Sequence, residues 1–190
     1  VDADIKAAEI AQYSVDIGTR PDDGAVVALG YQATGGAFIY RRSIAKDVFG
    51  TDDPAVVAEA IGAGSGNWDK FYKAAADLRA KGYGIISGDG DLWHAVENSS
   101  DAGWIVDGKL TIDPKREAFL DLSKQLKDNG YHNDTQDWTD AWYADMKGEG
   151  AQGIFGFFGP AWLINYTIAP NCGGAAVGEG TYGDWAVCAP

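Results

Sequence analysis

The chain predicts a layered domain of the α/β or α+β kind. Short apolar strand patterns alternate with capped, amphipathic helix patterns along its 190 residues. Apolar residues make up 46% of it, enough for one sizeable core and not for two large ones. No internal repeat or domain-sized composition shift interrupts the pattern.

Residues 2–13 are helix-compatible, with Ile5, Ala8 and Ile10 on a helical spacing. Residues 18–24 carry turn chemistry. Apolar runs at 25–29 and 37–40 read as strands, and 43–49 and 54–61 as short helices. A glycine-rich connector, 62–66, leads to Asn67, which caps a helix over 68–81. Phe71, Ala74, Ala75 and Leu78 form its buried stripe. Residues 83–87 follow as a strand, and 89–98 as a loop entering a helix. A hairpin spans 104–112, turning at Asp107-Gly108. Asp113-Pro114 opens a second long helix, cored by Phe119, Leu122 and Leu126 and closed by Gly130. A helix over 139–147, a buried strand over 153–158, a helix after Gly159 and a strand over 185–188 complete the chain.

The net charge of −13 disfavours nucleic acid and anionic membrane surfaces, and leaves neutral or cationic ligands. No apolar run is long enough to span a bilayer. The chain carries no signal-peptide pattern and starts at Val1, which points to a processed protein or an excised segment. Cys172 and Cys188 flank a glycine-rich stretch and read as a disulfide worth about 3 kcal/mol, the alternative being two unrelated thiols.

Cofactor and catalytic motifs fall away one by one. Gly88-Asp89-Gly90 begins like a dinucleotide fingerprint, but Trp93 stands where the third glycine belongs, and two aspartates would repel a pyrophosphate. There is no phosphate-binding loop and no nucleophile elbow. Two histidines, His94 and His132, cannot make a histidine-rich metal site, so neither metal nor cofactor is expected.

Trp162 stands in Gly159-Pro160-Ala161-Trp162, directly after the apolar run Ile154-Phe155-Gly156-Phe157-Phe158. A strand–turn–helix junction of this kind faces the cleft where open α/β sheets bind ligands. The indole either fills the core or offers a flat, rigid face to a sugar ring. Asp89 and Asp91, just after a strand, either accept sugar hydroxyls or cap the next helix.

The chain resembles the extracellular solute-binding proteins of bacterial ABC sugar importers, the maltose-binding-protein-like family. Four segments carry the resemblance in order: Gly35-Gly36-Ala37-Phe38-Ile39-Tyr40-Arg41-Arg42-Ser43-Ile44, Asn67-Trp68-Asp69-Lys70-Phe71, Asp140 to Trp162 with Lys147-Gly148, and Tyr182-Gly183-Asp184-Trp185-Ala186-Val187. It implies an α/β fold, a single lobe of the type II periplasmic-binding-protein-like kind, with a mixed sheet flanked by helices. Residues 1–190 would form one domain, the second lobe of a two-lobed protein whose first lobe lies outside this chain.

The resemblance further implies that Trp162 stacks on sugar, that loops 34–36 and 88–91 face the ligand, and that Trp142 lies near it. The expected ligand residues are thus Trp162, Asp91, Asp89, Trp142, Gly35 and Thr34. The implied function is capture of a mono- or oligosaccharide by lobe closure and delivery to ABC permease subunits, without enzymatic chemistry. The setting would be extracellular, as a lipid-anchored cell-surface lipoprotein or periplasmic protein. A glycoside hydrolase fragment would instead need two facing carboxylates. A binder of peptides or other small solutes would need charged groups at the cleft, for which Arg41-Arg42 is the available basic pair.

Overall fold

A computed structural model describes residues 2–30 and 34–190. Contacts divide the chain into two compact units, 1–35 and 36–190.

In the first unit, the helix-compatible stretch breaks into α1 (Asp2–Ala7) and α2 (Gln12–Ile17). Glu9 adopts a left-handed backbone between them, at φ 50°. The stripe of Ile5, Ala8 and Ile10 was expected to hold one helix. None of α1 is buried, however, and so short a helix without a packed face is marginal. The turn at 18–24 forms, bringing Thr19 and Val26 into an antiparallel bridge. The strand expected over 25–29 shrinks to that bridge.

The second unit runs β1 (Gly36–Arg41), α3 (Arg42–Phe49), α4 (Pro54–Ile61), α5 (Asp69–Ala80), β2 (Tyr83–Gly84), α6 (Asp89–Ser99), β3 (Ile105–Val106), β4 (Lys109–Leu110), α7 (Pro114–Asn129), α8 (Asp140–Lys147), β5 (Gly153–Ile154), β6 (Gly156–Pro160), α9 (Ala161–Leu163), a π-helical turn (Ile164–Ile168), α10 (Ala169–Asn171) and β7 (Trp185–Cys188). The helix starts follow local capping. The Asp53 carboxylate accepts from the backbone N–H groups of Ala55 and Val56 ahead of α4. Asp113 does the same for Lys115 ahead of α7, with proline at the first helical position in both cases. Asn67 accepts from Asp69 N–H at 3.1 Å, but α5 begins one residue later than expected, at Asp69, with Trp68 at its N-cap.

Both kinds of strand pairing occur. β1 pairs antiparallel with β6 on one side and β7 on the other, and β2 runs parallel to β5. Phe155 joins the two sets. Its N–H donates to Gly84 O and its carbonyl accepts from Arg41 N–H, both at 2.8 Å.

One core cluster gathers Phe38, Tyr40, Phe71, Leu78, Phe155 and Phe158, and the other gathers Ile39, Trp142, Met146, Ile154, Phe157 and Leu163. Alternation along β1 sends Phe38 and Tyr40 to one cluster and Ile39 to the other. Ile154 and Phe157 share a cluster three residues apart rather than two. The face alternation therefore slips by one residue at Phe155, as at a bulge. The fold class read from sequence, strands with helices packed on them, is the one observed, with the parallel and antiparallel pairs in separate sheets. No described helix is long and apolar enough to cross a membrane.

Candidate ligand-binding site

β6 ends at Pro160, which stands at the N-cap of α9 and places Trp162 in the first turn. The ring is 41% exposed, so it is not core filler. It does not stand alone. Trp138 stacks on it with ring centroids 6.0 Å apart and planes within 16°. Tyr166, on the π-helical turn, meets Trp162 edge-on, with ring centroids 6.2 Å apart. Trp138 and Tyr166 are 51% and 75% exposed. Three exposed aromatic rings thus adjoin at the end of the strand.

Trp142, expected to face the ligand, lies in the core instead, 2% exposed. It packs against Phe157 at 5.8 Å and beneath Trp138 at 5.2 Å. It stands on α8 with Asp145 and Met146 as the buried residues of that helix, and its Nε1 has no hydrogen-bond partner among the described residues.

A buried polar network fixes the loop that carries Trp138. Ser87, three residues past β2, which is shorter than the strand expected over 83–87, contacts Thr135 Oγ1 at 2.6 Å and donates to the Asp145 carboxylate. Asn133 also donates to Asp145, and its Nδ2 reaches Gln152 O at 3.0 Å. Burial pushes the Asp145 carboxyl above its usual range, while the bonds from Ser87, Asn133 and Thr135 pull it back. Gly88 lies against this loop, and a Cβ there would sit 1.9 Å from Thr135 O. Gly88→Ala is expected to cost about 1–3 kcal/mol. Urea denaturation checks it, and a change within about 0.5 kcal/mol would mean the contact is not tight.

The two aspartates resolve towards helix structure. Asp91 is 1% exposed, and its carboxylate accepts from Gly88 N–H at the start of α6. Asp89 accepts from Ser123 Oγ at 2.6 Å. Asp91 is sealed inside α6, against the expectation that it receives sugar hydroxyls, while Asp89 is half-buried with one carboxylate oxygen engaged by Ser123.

Burial, followed by repulsion from Asp137, holds the Asp91 carboxyl well above its usual range. A carboxyl raised in this way binds more protons when folded. Its stabilising contribution is complete below the unfolded pKa and is lost as pH rises through the folded one. Asp91→Asn is therefore expected to raise the melting temperature at neutral pH, with the gain shrinking towards about pH 4. Melts across that range check it, and a neutral-pH melting point at or below wild type would count against it. His94 Nε2 lies 3.0 Å from Asp137 Oδ2, and this bond raises the imidazole pKa.

Thr34 and Gly35 are exposed at the end of the first unit. The basic pair is engaged elsewhere: Arg41 pairs with Asp184 and Arg42 with Asp52, each at 2.6 Å. The expected Cys172–Cys188 disulfide is absent, since both cysteines are free and buried. They occupy separate environments. Cys172 Sγ lies 3.0 Å from Ala169 O at the end of α10. Cys188 sits opposite Phe38 in the larger core, where burial pushes its pKa up to about 12.

Trp138, Tyr166, Ser87, Thr135 and Asp145 were not among the expected site residues. The recurrence of aromatics four apart, Trp138/Trp142 and Trp162/Tyr166, was the available signal.

No family model and no curated protein matches the chain. Solved structures do. An extracellular solute-binding protein of family 1 superposes with TM-score 0.78 at 20% identity, over 98% of this chain and 45% of that one. The galacto-N-biose-/lacto-N-biose I-binding protein of the ABC transporter from Bifidobacterium longum, in complex with lacto-N-biose, gives 0.66 at 17% identity, over 98% and 43%. The ABC transporter associated binding protein from B. animalis subsp. lactis Bl-04, in complex with β-1,6-galactobiose, gives 0.64 at 21% identity, over 99% and 44%. The chain shares their fold and spans less than half the length of each.

Proposed function

We propose that this chain is the second lobe of a two-lobed extracellular solute-binding protein. The intact protein captures a saccharide by closing its lobes over it, then delivers it to the permease of an ABC importer. It is held at the cell surface by a lipid anchor or kept in the periplasm. The observation that carries this reading is the exposed aromatic surface around Trp162, on a fold shared with saccharide-binding proteins.

The proposed mechanism is binding without bond chemistry. The indole face covers the C–H face of a pyranose, where burying apolar area contributes about 25 cal/mol per Å². The opposing lobe closes the other side and supplies further hydrogen bonds. The rival readings lose support from the side chains they need. Asp91 is sealed and Asp89 is tied to Ser123, which disfavours a hydrolase built on them. Arg41 and Arg42 are engaged in ion pairs, which disfavours capture of peptide termini by them.

Titrating the full-length protein with a broad saccharide panel, followed by tryptophan fluorescence, tests the proposal. A saturable change with at least one saccharide is expected, and a flat response to all of them would reject it.

A further inference from the structure

We infer that His94 and Asp137 form a pH-dependent clasp that ties α6 to the loop 130–139, engaged in weakly acidic solution and slack in alkaline solution. The clasp is a property of the fold and stands whether or not the surface beside it binds a saccharide.

The first observation is the backbone of the loop. Two of its non-glycine residues are left-handed, Asp134 at φ 57° and Trp138 at φ 65°. Such residues persist where the surroundings over-determine them. Side-chain anchors do so here. Asn133 donates to Asp145, Thr135 meets Ser87, and Lys127 pairs with Asp134. His94 Nε2 reaches Asp137 Oδ2 at 3.0 Å, directly before the strained Trp138.

The second observation is the charge around Asp137. Its side chain is 17% exposed, and its Oδ1 is buried with no hydrogen-bond partner among the described residues. Gly90 packs so closely that a Cβ there would lie 2.8 Å from this oxygen. The buried Asp91 is near enough to be repelled by Asp137. Two cations of α7 are committed to other acids, Arg116 to Glu97 and Lys127 to Asp134. Asp89 is turned to Ser123, and Asp145 of α8 to Ser87 and Asn133. β6, also packed on α6, carries no titratable side chain. Among the described residues, His94 is thus the base paired with Asp137.

The sense of the switch follows from the groups present. The bond to Asp137 raises the His94 pKa from its ordinary value. A group raised on folding contributes stability that is complete below its unfolded pKa, about 6.5 for histidine, and lost as pH rises through the folded value. Asp91, held up by burial and by Asp137, works in the same sense, because its ionisation sets a like charge against Asp137. His132 works in the opposite sense. Its Nδ1 accepts from Asp134 N–H, so a proton there would break that bond as pH falls.

Amide hydrogen exchange, corrected for the intrinsic effect of pH, tests the clasp in wild type, His94→Gln and Asp91→Asn. At about pH 5.5 the loop should be roughly two- to fivefold better protected in wild type than in His94→Gln, and the ratio should fall to about one by about pH 8.5. Asp91→Asn should keep this pH dependence. In an NMR titration, His94 should titrate above about 6.5 in wild type and return towards it in Asp137→Asn. A protection ratio that does not change with pH overturns the inference. So does a His94 titration indifferent to Asp137→Asn, or a pH dependence that survives in His94→Gln and disappears in Asp91→Asn.

Discussion

Phe155→Ala is expected to lower the unfolding free energy of residues 36–190 by about 3–5 kcal/mol. The ring is wholly buried and touches Phe38, Tyr40 and Phe49 at centroid distances of 5.6, 5.7 and 5.6 Å. Truncation loses the transfer free energy of the ring and leaves a cavity. That cavity cannot close easily, because two of its walls, Phe38 and Tyr40, stand on β1, held by strands on both sides. The backbone of Phe155 is fixed as well, by its bonds to Gly84 and Arg41. At this chain length, each kcal/mol moves the melting temperature by about 2–4 °C. Leu120, 71% exposed on α7, is the control, and its alanine variant should stay within about 0.5 kcal/mol. Urea denaturation of both variants checks the difference. A Phe155→Ala cost no larger than the control would mean that the two sets of strands do not share the core described.

The same residue marks where sequence reading stops. Elements set by local chemistry were legible. The helices expected over 54–61 and after Asp113-Pro114 start where they were read, and 185–188 forms the strand its apolar pattern predicts. The one-residue slip between β5 and β6 was not legible, because it depends on which cluster each phenylalanine joins across the sheet. The site divides in the same way. Trp162 could be read from its junction, since strand, turn and proline lie beside it in sequence. Asp145 looks like any helix carboxylate until Ser87 and Asn133, 58 and 12 residues away, meet it in the fold. Asp91 was read with Asp89 as a cleft-facing pair. Two positions along a helix start suffice to turn one inward against Gly88 and leave the other beside Ser123. The cysteines failed as a pair because spacing in sequence says nothing of the two environments that bury them.

Trp162→Ala is expected to weaken saccharide binding by the full-length protein at least about 30-fold, the loss typical of an aromatic hot spot. Its effect on stability should be small. The ring is 41% exposed and stands in a three-residue helix, and its two ring neighbours, Trp138 and Tyr166, are themselves exposed. That separation is the argument for function. A tryptophan kept for packing should cost stability when truncated, as Phe155 should, whereas one kept for a ligand should cost affinity. Calorimetry is the suitable readout, because the substitution removes one of the fluorophores at the site. Trp162→Phe keeps a flat apolar face of smaller area and should fall between wild type and alanine. An alanine variant that binds within about threefold of wild type would sink the stacking assignment. One that loses several kcal/mol of stability in step with affinity would return Trp162 to the core.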